Sequence, residues 1–214
     1  MNIKTLKNPL HEDQYFKEAF TKKYIFLHHT AGANAQSAIE WWNSKPDRIA
    51  TPFIIDRDGT IYENFDPKYW SFALGVKGGT YIEKASIHIE IVSFGGLVKE
   101  GNNYFYEPTP TSKTHIDPSM VVPQITKYRG WDFMENYTDP QVAAVLSMVP
   151  ELLKDFPTIK VQPSIRDFWL LRDPRVIMNL PSGIWSHTSV RPDKSDIFPQ
   201  QNLIEGLYGL FPHD

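Results

Sequence analysis

Three places in this 214-residue chain hold side chains suited to breaking a stable bond: His28-His29, Glu90, and His187 followed by Asp193-Lys194-Ser195-Asp196. Catalytic zinc takes three protein ligands from His and Asp/Glu and keeps a fourth position open. Two histidines and an aspartate meet that need without cysteine, and the chain contains no cysteine. A carboxylate outside the metal shell can take the proton of an activated water. A neighbouring lysine can hold the oxyanion of a tetrahedral intermediate. Spacing alone leaves plainer readings open. A strand-end histidine is commonly a packed, hydrogen-bonded residue, and Lys194 with Asp196 reads equally as a surface charge cluster. Glu90 lies among Ile87, Ile89 and Ile91, where burying a carboxylate is costly unless it is paired or functional. The alternative for Glu90 is a solvated place on an open sheet face.

Elements that can position these groups are visible in the hydropathy pattern. Tyr24-Ile25-Phe26-Leu27-His28-His29 is a short apolar run of the kind found in a strand buried on both faces. Ala85 to Ser93 alternates, with Ile87, Ile89 and Ile91 on one face and His88 and Glu90 on the other. Between them, residues 34–44 place Ala38, Ile39 and Trp42 on one helical face. Phe53 to Phe65 reads as a hairpin turning at Asp58-Gly59. Thr138-Asp139-Pro140-Gln141 is a capping box with proline in the first turn. It opens a helix whose apolar stripe runs from Val142 to Leu153, with Pro150 predicted to kink or restart it. Ile159 to Gln162 is a short strand candidate, and Gly183 to His187 reads as a strand end. Residues 199–210 suit a closing helix burying Leu203, Ile204, Leu207 and Leu210. The segment from Phe94 to about Tyr137 lacks a clear period, which predicts a long loop or surface insertion shaping a cleft. Residues 1–23 read as an outer arm. Strands interleaved with helices define an α/β domain with a mixed central sheet flanked by helices.

Composition narrows the class. The chain is 41% hydrophobic and 14% aromatic, which excludes a disordered polymer. A formal net charge of -3 lacks the basic excess of a nucleic-acid binder. No run is apolar enough for a membrane span. The first twenty residues lack the continuous apolar stretch of a secretory signal, so cytoplasmic synthesis is expected.

Taken in order, five segments resemble one family. Tyr24-Ile25-Phe26-Leu27-His28-His29-Thr30-Ala31-Gly32 resembles the opening motif of the zinc N-acetylmuramoyl-L-alanine amidases. That group includes the T7-type phage lysozymes and the peptidoglycan recognition proteins. Phe53 to Tyr62 is similar to the family's hairpin, Ala85 to Ile91 to its central strand, and Tyr137 to Gln141 to the start of its long helix. His187-Thr188-Ser189-Val190-Arg191-Pro192-Asp193-Lys194-Ser195-Asp196 resembles its C-terminal metal motif. The matched span runs from about Tyr24 to Leu210.

The resemblance implies one zinc ion held by His28, His187 and Asp196, with Glu90 as the catalytic carboxylate and Lys194 assisting. It leaves His29 as a supporting or structural residue. His88 stands where relatives commonly carry a small residue; it either touches the site or is a buried, hydrogen-bonded histidine. A Tyr-His pair that T7-type enzymes carry before the hairpin is Thr51-Pro52 here, so no tyrosine role transfers. The implied fold is that of the T7 lysozyme-like and peptidoglycan recognition proteins, with the amidase domain over 24–214 and an insertion around 95–137. The implied reaction is hydrolysis of the amide between N-acetylmuramic acid and L-alanine, in a monomeric phage endolysin acting on the cell wall or a cytoplasmic wall-recycling enzyme. A non-catalytic peptidoglycan-binding module of the same fold is the alternative. The expected partner is peptidoglycan or a soluble muropeptide, with no nucleic acid.

Overall fold

The computed structural model describes residues 3–4, 9–76, 79–163, 165–173 and 177–211. Along the chain the strands are β1 (Ile3–Lys4), β2 (Tyr24–His29), β3 (Phe53–Ile55), β4 (Ile61–Glu63), β5 (Ser86–Ile91), β6 (Gly96–Glu100), β7 (Asn103–Thr109), β8 (Ser112–Ile116), β9 (Val121–Tyr128), β10 (Trp131–Glu135) and β11 (Gly183–Ser186). The helices are α1 (Ala35–Asn43), α2 (Thr80–Lys84), α3 (Asp139–Asp155), α4 (His187–Val190) and α5 (Gln201–Gly209).

A six-stranded mixed sheet in the order β1-β4-β3-β5-β2-β11 forms the centre. Strands β3, β5, β2 and β11 run parallel, and β4 returns antiparallel beside β3. Parallel strands need cover on both faces, and alternation along each strand supplies two apolar surfaces. On one face Ile25, Leu27, Ile87, Ile89, Ile91 and Ile184 pack against Val142, Val145, Met148, Val149 and Leu152 of α3 and Leu203 and Leu207 of α5. Full burial of each such side chain contributes roughly 1.5–3 kcal/mol. On the other face, Tyr24, Phe26 and Trp185 pack with Leu74 and Ile82, and Ile54 packs with Ile39 and Trp42 of α1. His28, His88 and Glu90 share this second face with Phe26, as the alternation predicts.

Local chemistry explains several boundaries. Asn34 caps α1 by accepting from the Ser37 N–H at 2.8 Å, and Asp56 adds a second acceptor for the Ala35 N–H at 3.1 Å. The hairpin turns at Gly59, whose φ of 80° is open to glycine and which packs so tightly on the Pro140 carbonyl that no Cβ fits. Thr138 and Gln141 form the predicted capping box of α3, and α3 runs through Pro150 as one helix rather than restarting there. The closing helix buries Leu203 and Leu207 fully, while Ile204 is partly covered and Leu210 is exposed.

Two expectations are corrected. Residues 94–137 are not a loop. Strands β6 to β10 build a second, five-stranded antiparallel sheet in the order β8-β7-β6-β10-β9. Its outer strands are largely exposed on both faces, so no burial pattern marks them in sequence. A bidentate ion pair from Arg57, beside the central hairpin, to Glu135 of β10 (2.6 and 3.1 Å) ties this sheet to the first. Residues 159–162 are likewise not a strand. Gln162 instead lies along the edge of β11, its amide accepting from the Ile184 N–H at 2.8 Å and donating to the Ile184 carbonyl. One side chain thus satisfies a strand edge that a neighbouring backbone would otherwise cover.

Candidate metal centre

The carboxyl ends of β2, β5 and β11 converge on one cleft of about 660 Å³. His28 is the fifth residue of β2, Glu90 the fifth of β5, and His187 follows β11 directly as the first residue of α4. Parallel pairing sets His28 beside Glu90, with their Cα atoms in register. The chain then loops back through Lys194 to Asp196, whose carbonyl accepts from the Thr188 N–H at 2.9 Å.

His28, His187 and Asp196 are all buried and bring three acceptor-type atoms together. His28 Nδ1 lies 3.2 Å from His187 Nδ1 and 3.2 Å from Asp196 Oδ2. His187 Nδ1 lies 2.9 Å from the same oxygen. Ligand atoms about 2.0–2.1 Å from a tetrahedral zinc stand about 3.3 Å apart, so this triangle fits such an ion. The far side of His187 is decided by chemistry. Its Nε2 is 3.0 Å from the Leu74 carbonyl, which can only accept, so the proton sits on Nε2 and the Nδ1 lone pair faces the cluster. A histidine ligand that donates its second N–H to a carbonyl is the usual metal-site arrangement.

Glu90 is part-buried at the cleft floor, and its Oε2 is buried with no hydrogen-bond partner. Burial pushes its carboxyl well above the ordinary range; the Asp196 charge adds to this and the Lys194 ammonium opposes it. Burial holds the His28 imidazole down to about 4, against the raising effect of Asp196. Asp196 lies well below the usual carboxylate range because His187 and His28 outweigh its own desolvation. His28 is therefore neutral and Asp196 ionised, the protonation states that metal ligation requires.

His29 also lines the cleft, and its Nδ1 lies 3.1 Å from the Tyr137 hydroxyl. His88 is buried and its Nδ1 contacts His28 Nε2 at 3.0 Å. Thr51, in the position without a transferable tyrosine, is buried and donates its hydroxyl to the Phe53 carbonyl. The motifs did not reveal three further contributors. Trp41, 52% exposed, and Tyr106 line the cleft. Tyr106 is held there by stacking on Phe94 (4.8 Å between centroids), itself beneath the Arg57 guanidinium. The third is Glu83, which sequence presents as one more acidic residue on a short helix; only tertiary contacts distinguish it.

A family model described as N-acetylmuramoyl-L-alanine amidase matches residues 19–197, and the chain belongs to that family. No curated protein matches it. Among solved structures, the catalytic domain of XlyA is 15% identical over 98% of this chain and 97% of that one, with a TM-score of 0.52. A mutant endolysin from Bacillus subtilis is 15% identical over 98% and 96%, with a TM-score of 0.51. The endolysin N-acetylmuramoyl-L-alanine amidase LysCS from Clostridium intestinale is 12% identical over 98% and 95%, with a TM-score of 0.50. At these identities the likeness establishes the shared α/β amidase fold. Among the described residues, no helix is long and apolar enough to cross a membrane.

Proposed function

We propose that this chain is a zinc-dependent amidase that cleaves the bond between the lactyl group of N-acetylmuramic acid and L-alanine in peptidoglycan. The observation that carries this reading is the convergence of two imidazole nitrogens and a carboxylate oxygen beside Glu90, whose buried Oε2 has no hydrogen-bond partner. His28, His187 and Asp196 hold the zinc ion. When bound, it supplies a Lewis acid for the amide carbonyl and lowers the pKa of water.

The chain's own groups do the proton work. Glu90 accepts a proton from the attacking water and returns it to the departing L-alanine nitrogen, which is a poor leaving group until protonated. Burial raises its carboxyl above the ordinary range, which favours holding the proton between its two transfers. Lys194 lies along the same cleft and offers an ammonium to the carbonyl oxygen as negative charge develops there. Trp41 and Tyr106 offer ring faces to the substrate around the scissile bond.

Polymeric wall is the favoured substrate over soluble muropeptide, supported by the endolysins among the structural matches. The test is product analysis on purified peptidoglycan. The amidase releases stem peptides with a new L-alanine amino terminus and no new reducing sugar ends. New reducing ends, or binding without any release, would overturn the reading, the second result marking a binding module.

A further inference from the structure

One buried acid, Glu83 of α2, reaches both histidines of the cluster by separate routes, and the zinc reading above gives these routes a purpose. Glu83 is 2% exposed. Its two oxygens accept from the backbone N–H groups of Ala73 (3.0 Å), Leu74 (3.0 and 3.2 Å) and Gly75 (2.9 Å). An acid that takes only N–H donors on both oxygens is placed as a carboxylate. The segment so clamped presents the Leu74 carbonyl to His187 Nε2, and Arg191 holds the same carbonyl from the other side at 3.0 Å. This is the first route.

The second route passes through His88. Glu83 Oε2 lies 3.6 Å from His88 Nε2, which has no other polar contact. A carboxylate at that distance favours the tautomer with the proton on Nε2. His88 Nδ1 is then a bare acceptor, 3.0 Å from His28 Nε2. His28 must donate from Nε2, so its own Nδ1 lone pair turns to the cluster. Stacking of His88 on Phe26, with centroids 5.7 Å apart, fixes the ring plane for this relay.

We propose that Glu83 is the common positioning residue of the metal centre, fixing both histidine ligands in the tautomer and orientation that aim Nδ1 at zinc. It acts on His187 through the 73–75 backbone and on His28 through His88. Neither Glu83 nor His88 touches substrate or metal. A plain structural role would stabilise the loop without setting metal affinity.

The experiment is zinc titration of metal-stripped full-length protein against a chromophoric chelator, with the fold of each variant checked by circular dichroism. Wild type, Glu83→Gln, His88→Ala, His88→Asn and the Glu83→Gln/His88→Ala double variant are compared. Supporting groups behind metal ligands typically govern affinity by about 10–100-fold. Glu83→Gln and His88→Ala should each weaken zinc binding by about that factor. His88→Asn places an amide oxygen where Nδ1 stands and should recover most of the loss, because His28 regains its acceptor. In the double variant the losses should be less than multiplicative, since Glu83→Gln already cuts the His88 route that His88→Ala removes. Wild-type zinc affinity in folded Glu83→Gln and His88→Ala would overturn the proposal, as would fully multiplicative losses. Should Glu83→Gln not fold, the His88→Ala and His88→Asn pair decides alone: equal affinities in the two overturn it. Failure of wild type to bind zinc is a separate result that removes the metal reading itself.

Discussion

His28 and Glu90 are register partners on adjacent parallel strands, so one pairing of β2 with β5 delivers both the proposed metal ligand and the carboxylate beside it. Because side chains alternate with period two, both project to the same face of the sheet. A one-residue slip would send Glu90 into the α3-facing core of Ile87, Ile89 and Ile91. Chemistry and fold are thus set by a single register.

Replacing Glu90 by Gln keeps size and removes the proton acceptor. Zinc content should stay at the wild-type level while turnover falls by roughly 10²–10⁴-fold. Parallel metal analysis and amide-release rates check this. A near-normal rate would return Glu90 to a structural role.

Lys194 and Asp196 are two residues apart and should behave differently. Asp196→Ala leaves two protein ligands, so zinc and activity should be lost together. Lys194→Ala should retain zinc and lose roughly 10²–10³ in kcat, since an oxyanion exists only after attack begins. If both variants keep zinc and full rates, the cluster is only a surface feature.

The aromatic walls bear on binding rather than on bond breaking. Trp41→Ala and Tyr106→Ala should raise KM roughly 2- to 10-fold with little change in kcat. Trp41 is 52% exposed, so its removal should leave thermal stability nearly unchanged. A pure kcat effect would instead place these rings at the reacting atoms.

The metal-free protein should lose stability as pH falls below neutral. Burial keeps His28 near 4 and His88 well below its ordinary value, while unfolded histidines titrate near 6.5. Between those values these histidines hold more protons in the unfolded chain, so each favours unfolding by about 1.4 kcal/mol per pH unit. Glu90, whose carboxyl burial raises, takes up its proton in the folded state and offsets part of this loss. The loss begins as pH drops through about 6.5, and the His28 contribution is complete near 4. Asp196, held low, adds a further loss only in more acid solution. Urea unfolding of chelator-treated protein at pH 7, 6 and 5 measures this slope, and a flat profile would contradict it.

The parts of this molecule with one buried and one distinct face were readable from sequence. Ile87, Ile89 and Ile91 alternate because one side of β5 meets α3, and Thr138 with Gln141 marks where α3 begins. The second sheet was not readable. Ile125 is fully exposed, and Ser112 to His115 face solvent, so no burial imposes a period there. The family motif marks His28, Glu90, His187, Lys194 and Asp196 because their chemistry is carried by residue type. Glu83 and the Leu74 carbonyl carry theirs through position alone, and position emerges only when α2 and the 73–75 segment pack against β5.

In this mechanism, amide hydrolysis requires a zinc ion held by His28, His187 and Asp196. Metal content and peptidoglycan amide release, measured on the same sample before and after exhaustive chelation, test it most directly. The protein should carry about one zinc per chain, lose activity with its removal, and regain it on adding zinc back. Undiminished hydrolysis by fully metal-free protein would contradict it.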